Sequence, residues 1–123
     1  MIQSFTELIA WQHAHKLALS IYRASLSFPS EEKFGLTSQL RRAAVSVTSN
    51  IAEGFGRSSD KDREHFYTMA SGSLYEVKSQ LILARDLGYI KPQSFERLAI
   101  IANEAHKLTN GLLKKHRAGR PSI

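Results

Sequence analysis

The chain has 123 residues, no cysteine and a formal net charge of +6 at pH 7. This length suits one domain with one core, and the lack of cysteine excludes disulfide bonds, thiolate nucleophiles and cysteine zinc sites. We see neither a secretion signal nor an apolar run long enough to span a bilayer, so we expect a cytoplasmic protein without a membrane partner. The positive charge would attract a polyanion such as nucleic acid, or it would serve only as solvated surface.

The first two predicted helices occupy the N-terminal half of the chain. Apolar residues recur at helical spacing from about residue 4 to 26, where Phe28 and Pro29 end the segment. The same spacing predicts a second helix over residues 36–53. Gly54 and Gly56 follow it and can both adopt positive φ, so we expect them to close its C-terminus.

The last two predicted helices have clear start and stop residues. Ser59 with Asp62 three positions later resembles a capping box, and Gly88 is typical of a helix C-terminus, which predicts a third helix ending near residue 87. Pro92 suits a first helical position, and the apolar spacing predicts a fourth helix to about residue 115. Because the connections are short and no segment alternates like a strand, we expect an all-α, antiparallel up-down four-helix bundle. The bundle is predicted over residues 1–116, and residues 117–123 are predicted to form a flexible basic tail.

Two of the predicted helices carry more apolar surface than a single bundle needs. Tyr75 and Ile82 lie almost opposite the inward stripe of the third helix, and Val45 and Ala52 lie on the outer side of the second. Single exposed apolar residues are normal on any surface, but an excess on two helices favours burial between identical subunits. We therefore expect a homo-oligomer with these four residues in its interface. The predicted inward stripe of the third helix consists of Phe66, Ala70, Ser73, Val77, Leu81 and Ala84.

Patterns that would indicate catalysis or metal binding are weak. His13 and His15 are two residues apart and so project to different sides of a helix. Asp62 and His65 have the spacing of one half of a di-iron motif, but the rest of that motif is missing. We expect the five histidines to lie at the surface, and no serine has the flanking residues of a nucleophile elbow. The sequence thus predicts a protein that is not an enzyme, with no metal and no cofactor.

A polar row runs beside the apolar stripe of the second helix. Arg42, Asn50 and Glu53 belong to it, and Glu76 falls beside the inward stripe of the third helix. We predict that Glu53 and Glu76 accept hydrogen bonds from Arg42, Asn50 or neighbouring backbone groups and thereby fix the register of the helices. The alternative is a ligand site or an acid–base site built on the same two carboxylates.

Basic residues cluster around the second helix and recur on the third and fourth. Contacts from such residues would go to phosphates, would carry little sequence information and would weaken steeply with salt. The alternative is that each cation is solvated or paired within the bundle. The candidate nucleic-acid-binding residues are Arg41, Arg42, Arg57, Lys78, Arg85, Lys114 and Lys115.

Several short motifs spread over nearly the whole chain resemble the 23S ribosomal RNA intervening-sequence family of four-helix-bundle proteins. The most specific are Arg-Arg-Ala-Ala at 41–44 and Asn-Ile-Ala-Glu-Gly at 50–54, and Ala-Ser-Gly-Ser at 70–73 adds to them. The resemblance implies a four-helix protomer that assembles as a five-fold barrel. It also implies nucleic-acid binding and a reverse transcriptase partner, as in the similar accessory proteins of diversity-generating retroelements.

Residue patterns and resemblance together predict an adaptor. We expect a non-enzymatic homo-oligomer, pentameric by resemblance, that binds RNA or DNA with low sequence specificity. The alternative is a protein–protein interaction scaffold whose charge serves only solubility. The resemblance allows two genomic settings for this chain. An adjacent reverse transcriptase gene would indicate a retroelement, whereas a location inside a ribosomal RNA gene would indicate an intervening sequence.

Overall fold

The computed structural model describes residues 1–118 as a set of helices, with no strand in that range, so the predicted all-α class is confirmed. Four long helices direct their apolar faces toward one shared core and their polar faces toward the outside. In chain order the elements are a 3₁₀ helix at Phe5–Glu7, α1 at Ile9–Ser25, a 3₁₀ helix at Ser30–Glu32, α2 at Leu36–Phe55, α3 at Asp60–Asp86 and α4 at Pro92–Ala118.

The four helices form a closed ring of neighbours around one core. α1 packs on α2, α2 on α3, α3 on α4, and α4 returns to α1. The largest fully buried side chains include Leu17 of α1, Leu40 of α2 and Tyr67 of α3, and α4 adds the buried Leu98 to the core. α4 contributes the fully buried Thr109, whose hydroxyl donates to its own helix at Ala105 O over 2.8 Å. Burying each leucine contributes roughly 1.5–3 kcal/mol, which makes this core the main source of stability.

Both ends of the bundle domain differ slightly from the prediction. Ser4 caps the first 3₁₀ helix, and Leu8 is extended, with φ −70° and ψ 125°, so α1 begins at Ile9 rather than near residue 4. At the other end α4 extends to Ala118 and so includes the first two residues of the predicted flexible tail. The rest of that predicted tail, residues 119–123, lies outside the described residues.

The corner between α2 and α3 is built differently from the prediction. Gly54 lies within α2 and Gly56 has φ −77°, so the expectation that these glycines close the helix with positive φ is wrong. A Cβ atom placed on Gly54 would lie 2.6 Å from Cε1 of Tyr67, and Tyr67 is only 2% exposed. Gly54 therefore leaves the space against the α2 backbone in which the buried Tyr67 ring of α3 packs.

The predicted caps around α3 and α4 are confirmed. Ser59 Oγ accepts the N–H of Asp62 over 3.1 Å at the start of α3. Gly88 has φ +79°, and the N–H groups of Gly88 and Tyr89 donate to carbonyl oxygens in the last turn of α3, which is the Schellman arrangement. Pro92 is the first residue of α4, where its missing N–H costs no hydrogen bond.

The buried stripe of α3 is rotated by about one residue from the prediction. Tyr67 and Leu74 are fully buried, whereas Phe66 and Ser73, which were expected in the core, are partly exposed. Ser73 instead contacts α2 through its hydroxyl. The remaining members of the predicted stripe, Ala70, Val77, Leu81 and Ala84, are buried as expected.

Candidate functional site

A polar groove of about 270 Å³ runs between α2 and α3 at the predicted polar row. Ser46 Oγ and Ser73 Oγ lie 2.8 Å apart, so the two helices share a hydroxyl–hydroxyl hydrogen bond. Asn50 Nδ2 donates to Ser46 O over 2.9 Å and to Ser46 Oγ over 3.1 Å. These uncharged groups link the helices and so fix their register. The groove is lined by Gln39, Arg42, Ala43, Ser46, Ser73, Glu76 and Gln80.

The structure corrects the predicted partners of the two carboxylates. Glu53 Oε2 accepts from Arg57 Nη2 over 2.8 Å, one helical turn away, and its side chain is 58% exposed. Glu76 is exposed and, like Arg42, forms no hydrogen bond or ion pair with another residue of the described chain. Neither Glu53 nor Glu76 is buried.

Three of the candidate nucleic-acid-binding residues gather at the end of the bundle where α2 stops and α4 finishes. Arg63 Nε donates to Arg57 O over 2.7 Å, and Arg63 and Lys115 line the same cavity of about 140 Å³. Lys114 precedes Lys115 on the exposed side of α4. We call this region the basic end and define it by Arg57, Arg63, Lys114, Lys115 and Arg117.

Other candidate cations lie farther from this end and are held within the protomer. Arg41 Nε donates to Ser25 Oγ over 2.8 Å, and its guanidinium lies 4.7 Å from the ring centroid of Tyr22, so it ties α2 to α1. Arg85 lies 4.6 Å from the ring centroid of Phe95 on α4 and also pairs with the carboxylate of the next residue. The structure thus divides the predicted set between distant parts of the bundle.

A hydrogen-bonded cluster around the buried His106 joins α3 to α4 where the sequence analysis expected only a surface histidine. His106 is 4% exposed, with Nε2 2.8 Å from Ser71 Oγ and Nδ1 2.7 Å from Lys78 Nζ. Ser71 Oγ donates to Asn110 Oδ1 over 3.2 Å. Because the Lys78 ammonium can only donate, His106 Nδ1 accepts, and the ring proton is on Nε2, which donates to Ser71 Oγ.

The electrostatics of this cluster keep the imidazole neutral. Burial lowers the pKa of His106 below its ordinary value, and the positive charge of Lys78 lowers that pKa further. Burial also lowers the pKa of Lys78. The candidate cation Lys78 is therefore directed at a neutral base between two helices.

The prediction that all five histidines lie at the surface is wrong for His106 and also for His116. His116 is 9% exposed, and its Nδ1 lies 2.7 Å from Asp60 Oδ1, which joins the end of α4 to the start of α3. The usable signal was periodicity, because both histidines continue the buried spacing of α4 through Thr109. No group of three or more His, Cys, Asp or Glu side chains within residues 1–118 is placed to hold a metal ion.

The predicted oligomer-interface residues occupy two faces of the protomer. Val45 is 42% exposed and lines an open groove of about 580 Å³ between α1 and α2, with the partly exposed Ala52 farther along α2. Tyr75 and Ile82 are 64% and 44% exposed, and the Tyr75 ring packs edge-on against His106 of α4. The α1–α2 and α3–α4 sides are opposite sides of the helical ring.

These features define an all-α four-helix-bundle protein whose candidate interaction groups are spread over its surfaces. No helix within the described range is both long and apolar enough to cross a membrane. The chain belongs to the 23S rRNA-intervening sequence protein family, whose sequence model matches residues 6–111. The family resemblance of the sequence motifs is thereby confirmed.

A solved structure shares the fold of this chain. It is a protein of unknown function from the S23 ribosomal protein family of Bacteroides thetaiotaomicron VPI-5482, 20% identical in sequence. The match covers 86% of this chain and 96% of that one, with a TM-score of 0.79. At this identity the likeness shows the fold alone. No match was found among curated proteins.

Proposed function

We propose that this protein is a non-enzymatic, homo-oligomeric cytoplasmic adaptor that binds RNA or DNA through phosphate contacts of low sequence specificity. The observation that carries the proposal is a charge imbalance. Ion pairs among residues 1–118 engage only Arg57, Arg85 and Arg117 of the lysine and arginine side chains. With a net charge of +6, most cations are therefore left to neutralise phosphates and release their counterions.

The basic end is the proposed contact surface. Lys114 and Lys115 are exposed and have no carboxylate partner among the described residues. The Arg57–Glu53 pair is exposed on both sides, so it contributes little to stability and can exchange its carboxylate for a phosphate at small cost. Long flexible cations of this kind bind backbone phosphates without reading the bases.

A ring of identical subunits is the proposed assembly. When one apolar face of a protomer meets a different face of the next, the contact is head-to-tail and closes into a ring if the rotation permits. Val45 and Ala52 on one side, with Tyr75 and Ile82 on the opposite side, supply two such faces. The family resemblance favours five subunits, and it favours a reverse transcriptase as a further partner.

Salt-dependent binding to RNA and DNA tests the nucleic-acid role. We expect random-sequence single strands of either kind to bind, with log K falling linearly in log[salt]. Replacing Lys114 and Lys115 together with Gln should lower affinity and reduce the salt slope by about 1–2, since each lost phosphate contact removes about 1. The matched control replaces Lys33 and Lys91, two exposed lysines in the connections at the opposite end, and carries the same net charge.

Two results would count against this role. Equal salt slopes in the two double variants would contradict the assignment to the basic end. If the unmodified protein shows no salt-sensitive binding, the nucleic-acid role is contradicted altogether. The protein–protein interaction scaffold would then be the favoured function.

Sedimentation velocity tests the assembly independently of nucleic acid. Ile82→Lys places a charge in the proposed interface and should shift the protein to monomer at micromolar concentration. Ile100→Lys is the matched control, because Ile100 is 67% exposed on α4 and is not one of the proposed interface residues. A monomeric unmodified protein, or equal dissociation of both variants, would contradict the proposed interface.

A further inference from the structure

We propose that Lys78 is an acylation site whose amine is activated by His106 and reacts with acyl thioesters. This inference does not depend on the proposed nucleic-acid role. It rests on the hydrogen-bonded cluster around His106 between α3 and α4, in which a lysine amine contacts an imidazole instead of a carboxylate.

The geometry provides a base at the correct distance from the nucleophile. Lys78 Nζ lies 2.7 Å from His106 Nδ1, within the range required for proton transfer. The ring is fixed because Nε2–H donates to Ser71 Oγ, which in turn donates to Asn110 Oδ1. A nucleophile, a base and a group that orients the base are the three parts that activate side chains in covalent chemistry.

The surroundings favour the uncharged amine that such a reaction needs. Lys78 is partly exposed, and its Nζ lies 5.7 Å from the ring centroid of Tyr75, whose ring also packs edge-on against His106. Within the described chain no carboxylate pairs with Lys78, whereas a carboxylate would stabilise the ammonium form. Burial lowers the pKa of Lys78, which increases the neutral fraction near pH 7.

The chemical step is a simple acyl transfer. In the neutral amine one N–H donates to His106 Nδ1 while the nitrogen lone pair attacks the thioester carbonyl carbon. The tetrahedral adduct passes its N–H proton to Nδ1, the C–S bond breaks, and the thiolate leaves as the new C–N amide bond is completed. The imidazolium then releases its proton to water. The amide N–H of the product can still donate to Nδ1, so acylation removes the charge of Lys78 but keeps the contact.

Site-resolved mass spectrometry of the full chain treated with acetyl-coenzyme A tests the proposal. At pH 7 we expect Lys78 to be acetylated about tenfold faster than Lys107 and Lys114, two exposed lysines on α4. This is below the hundredfold that a positioned base typically contributes, because Lys78 is partly covered. The ratio of the Lys78 rate to the Lys107 rate should shrink toward pH 10, where every amine is largely uncharged.

Variants separate base catalysis from simple accessibility. His106→Gln can still accept from Lys78 but cannot take its proton, so the rate advantage of Lys78 should disappear. Ser71→Ala should reduce the advantage partly, because Nε2–H then loses its acceptor. If His106→Gln fails to fold, the pH dependence of the rate ratio in the unmodified protein decides. A Lys78 rate at pH 7 equal to or below that of Lys107 would overturn the proposal.

Discussion

Replacing Gly54 with Ala tests whether the contact between α2 and α3 is as tight as the structure shows. The added Cβ would lie 2.6, 3.0 and 3.1 Å from three ring atoms of Tyr67, and that ring is buried. Overpacking of this kind typically costs about 1–3 kcal/mol. Helix propensity acts in the opposite direction, because Ala is favoured over Gly in a helix by about 1 kcal/mol.

Gly111→Ala isolates the steric cost. Gly111 also lies in a long helix, but no atom lies within 4 Å of the Cβ it would gain. The propensity gain cancels in the comparison, so Gly54→Ala should be about 1–3 kcal/mol less stable than Gly111→Ala. At this chain length the difference corresponds to roughly 4–12 °C in Tm.

Urea and thermal unfolding followed by circular dichroism measure this difference. All variants are compared at one protein concentration, because oligomerisation makes Tm depend on concentration. Tyr67→Leu should relieve part of the clash, so the Gly54→Ala/Tyr67→Leu pair should show a coupling free energy of at least about 0.5 kcal/mol. Equal stabilities of the Gly54 and Gly111 variants would refute the reasoning.

Three further perturbations test the cluster and the caps. Burial, and then the charge of Lys78, hold the pKa of His106 below its usual 6.5, so the unfolded chain binds that proton more tightly. The free energy of unfolding should therefore be highest above about pH 6.5 and fall as the pH drops toward the lowered pKa of folded His106. Urea midpoints that show the same pH slope in His106→Gln would contradict this. Ser59→Ala should lower the free energy of unfolding by about 1 kcal/mol while the neighbouring Ser58→Ala leaves it unchanged, and equal losses on urea titration would count against the cap. Gly88→Ala should cost about 1–2 kcal/mol by the same assay because its φ is +79°, Gly88→Asn should cost less, and no loss in either would exclude the left-handed turn.

Helices and their ends could be predicted because their signals are local in sequence. Ser59, Gly88 and Pro92 act on hydrogen bonds within a few residues of themselves, so each could be identified without knowing the rest of the fold. The break at Leu8 could not, because nothing in its immediate sequence separates the short 3₁₀ helix from α1.

Which face of α3 is buried could not be predicted from the sequence of α3 alone, because it depends on the helices that pack against it. Apolar residues occur all around this helix, so periodicity alone could not choose between a stripe through Phe66 and one through Tyr67. The choice follows from the close approach at Gly54, which leaves room for the Tyr67 ring against the α2 backbone. A glycine that seemed to provide a flexible turn was instead providing space.

Partners across the helices were the least predictable part of the candidate sites. Ser46 and Ser73 are 27 residues apart in sequence, and Lys78 and His106 are 28 apart. A helical shift of one turn would break both contacts, and the sequence does not determine that shift to within a turn. The sequence analysis included Asn50 in the register network but gave it the carboxylates of Glu53 and Glu76 as partners, whereas its partner in the structure is Ser46, which in turn bonds to Ser73.

An even number of antiparallel helices returns the chain to the place where it began. Ile2 and Lys115 line one small cavity, although they stand near opposite ends of the described chain. A short linker could join these two ends, and a circular permutant cut at the Gly88 turn would keep all four helix pairs while exchanging which of them is formed by sequence neighbours. The one helix pair whose members are distant in sequence would then be α3 and α4 instead of α1 and α4. Comparing the permutant with the natural order therefore tests whether the order in which the helices dock depends on the connections.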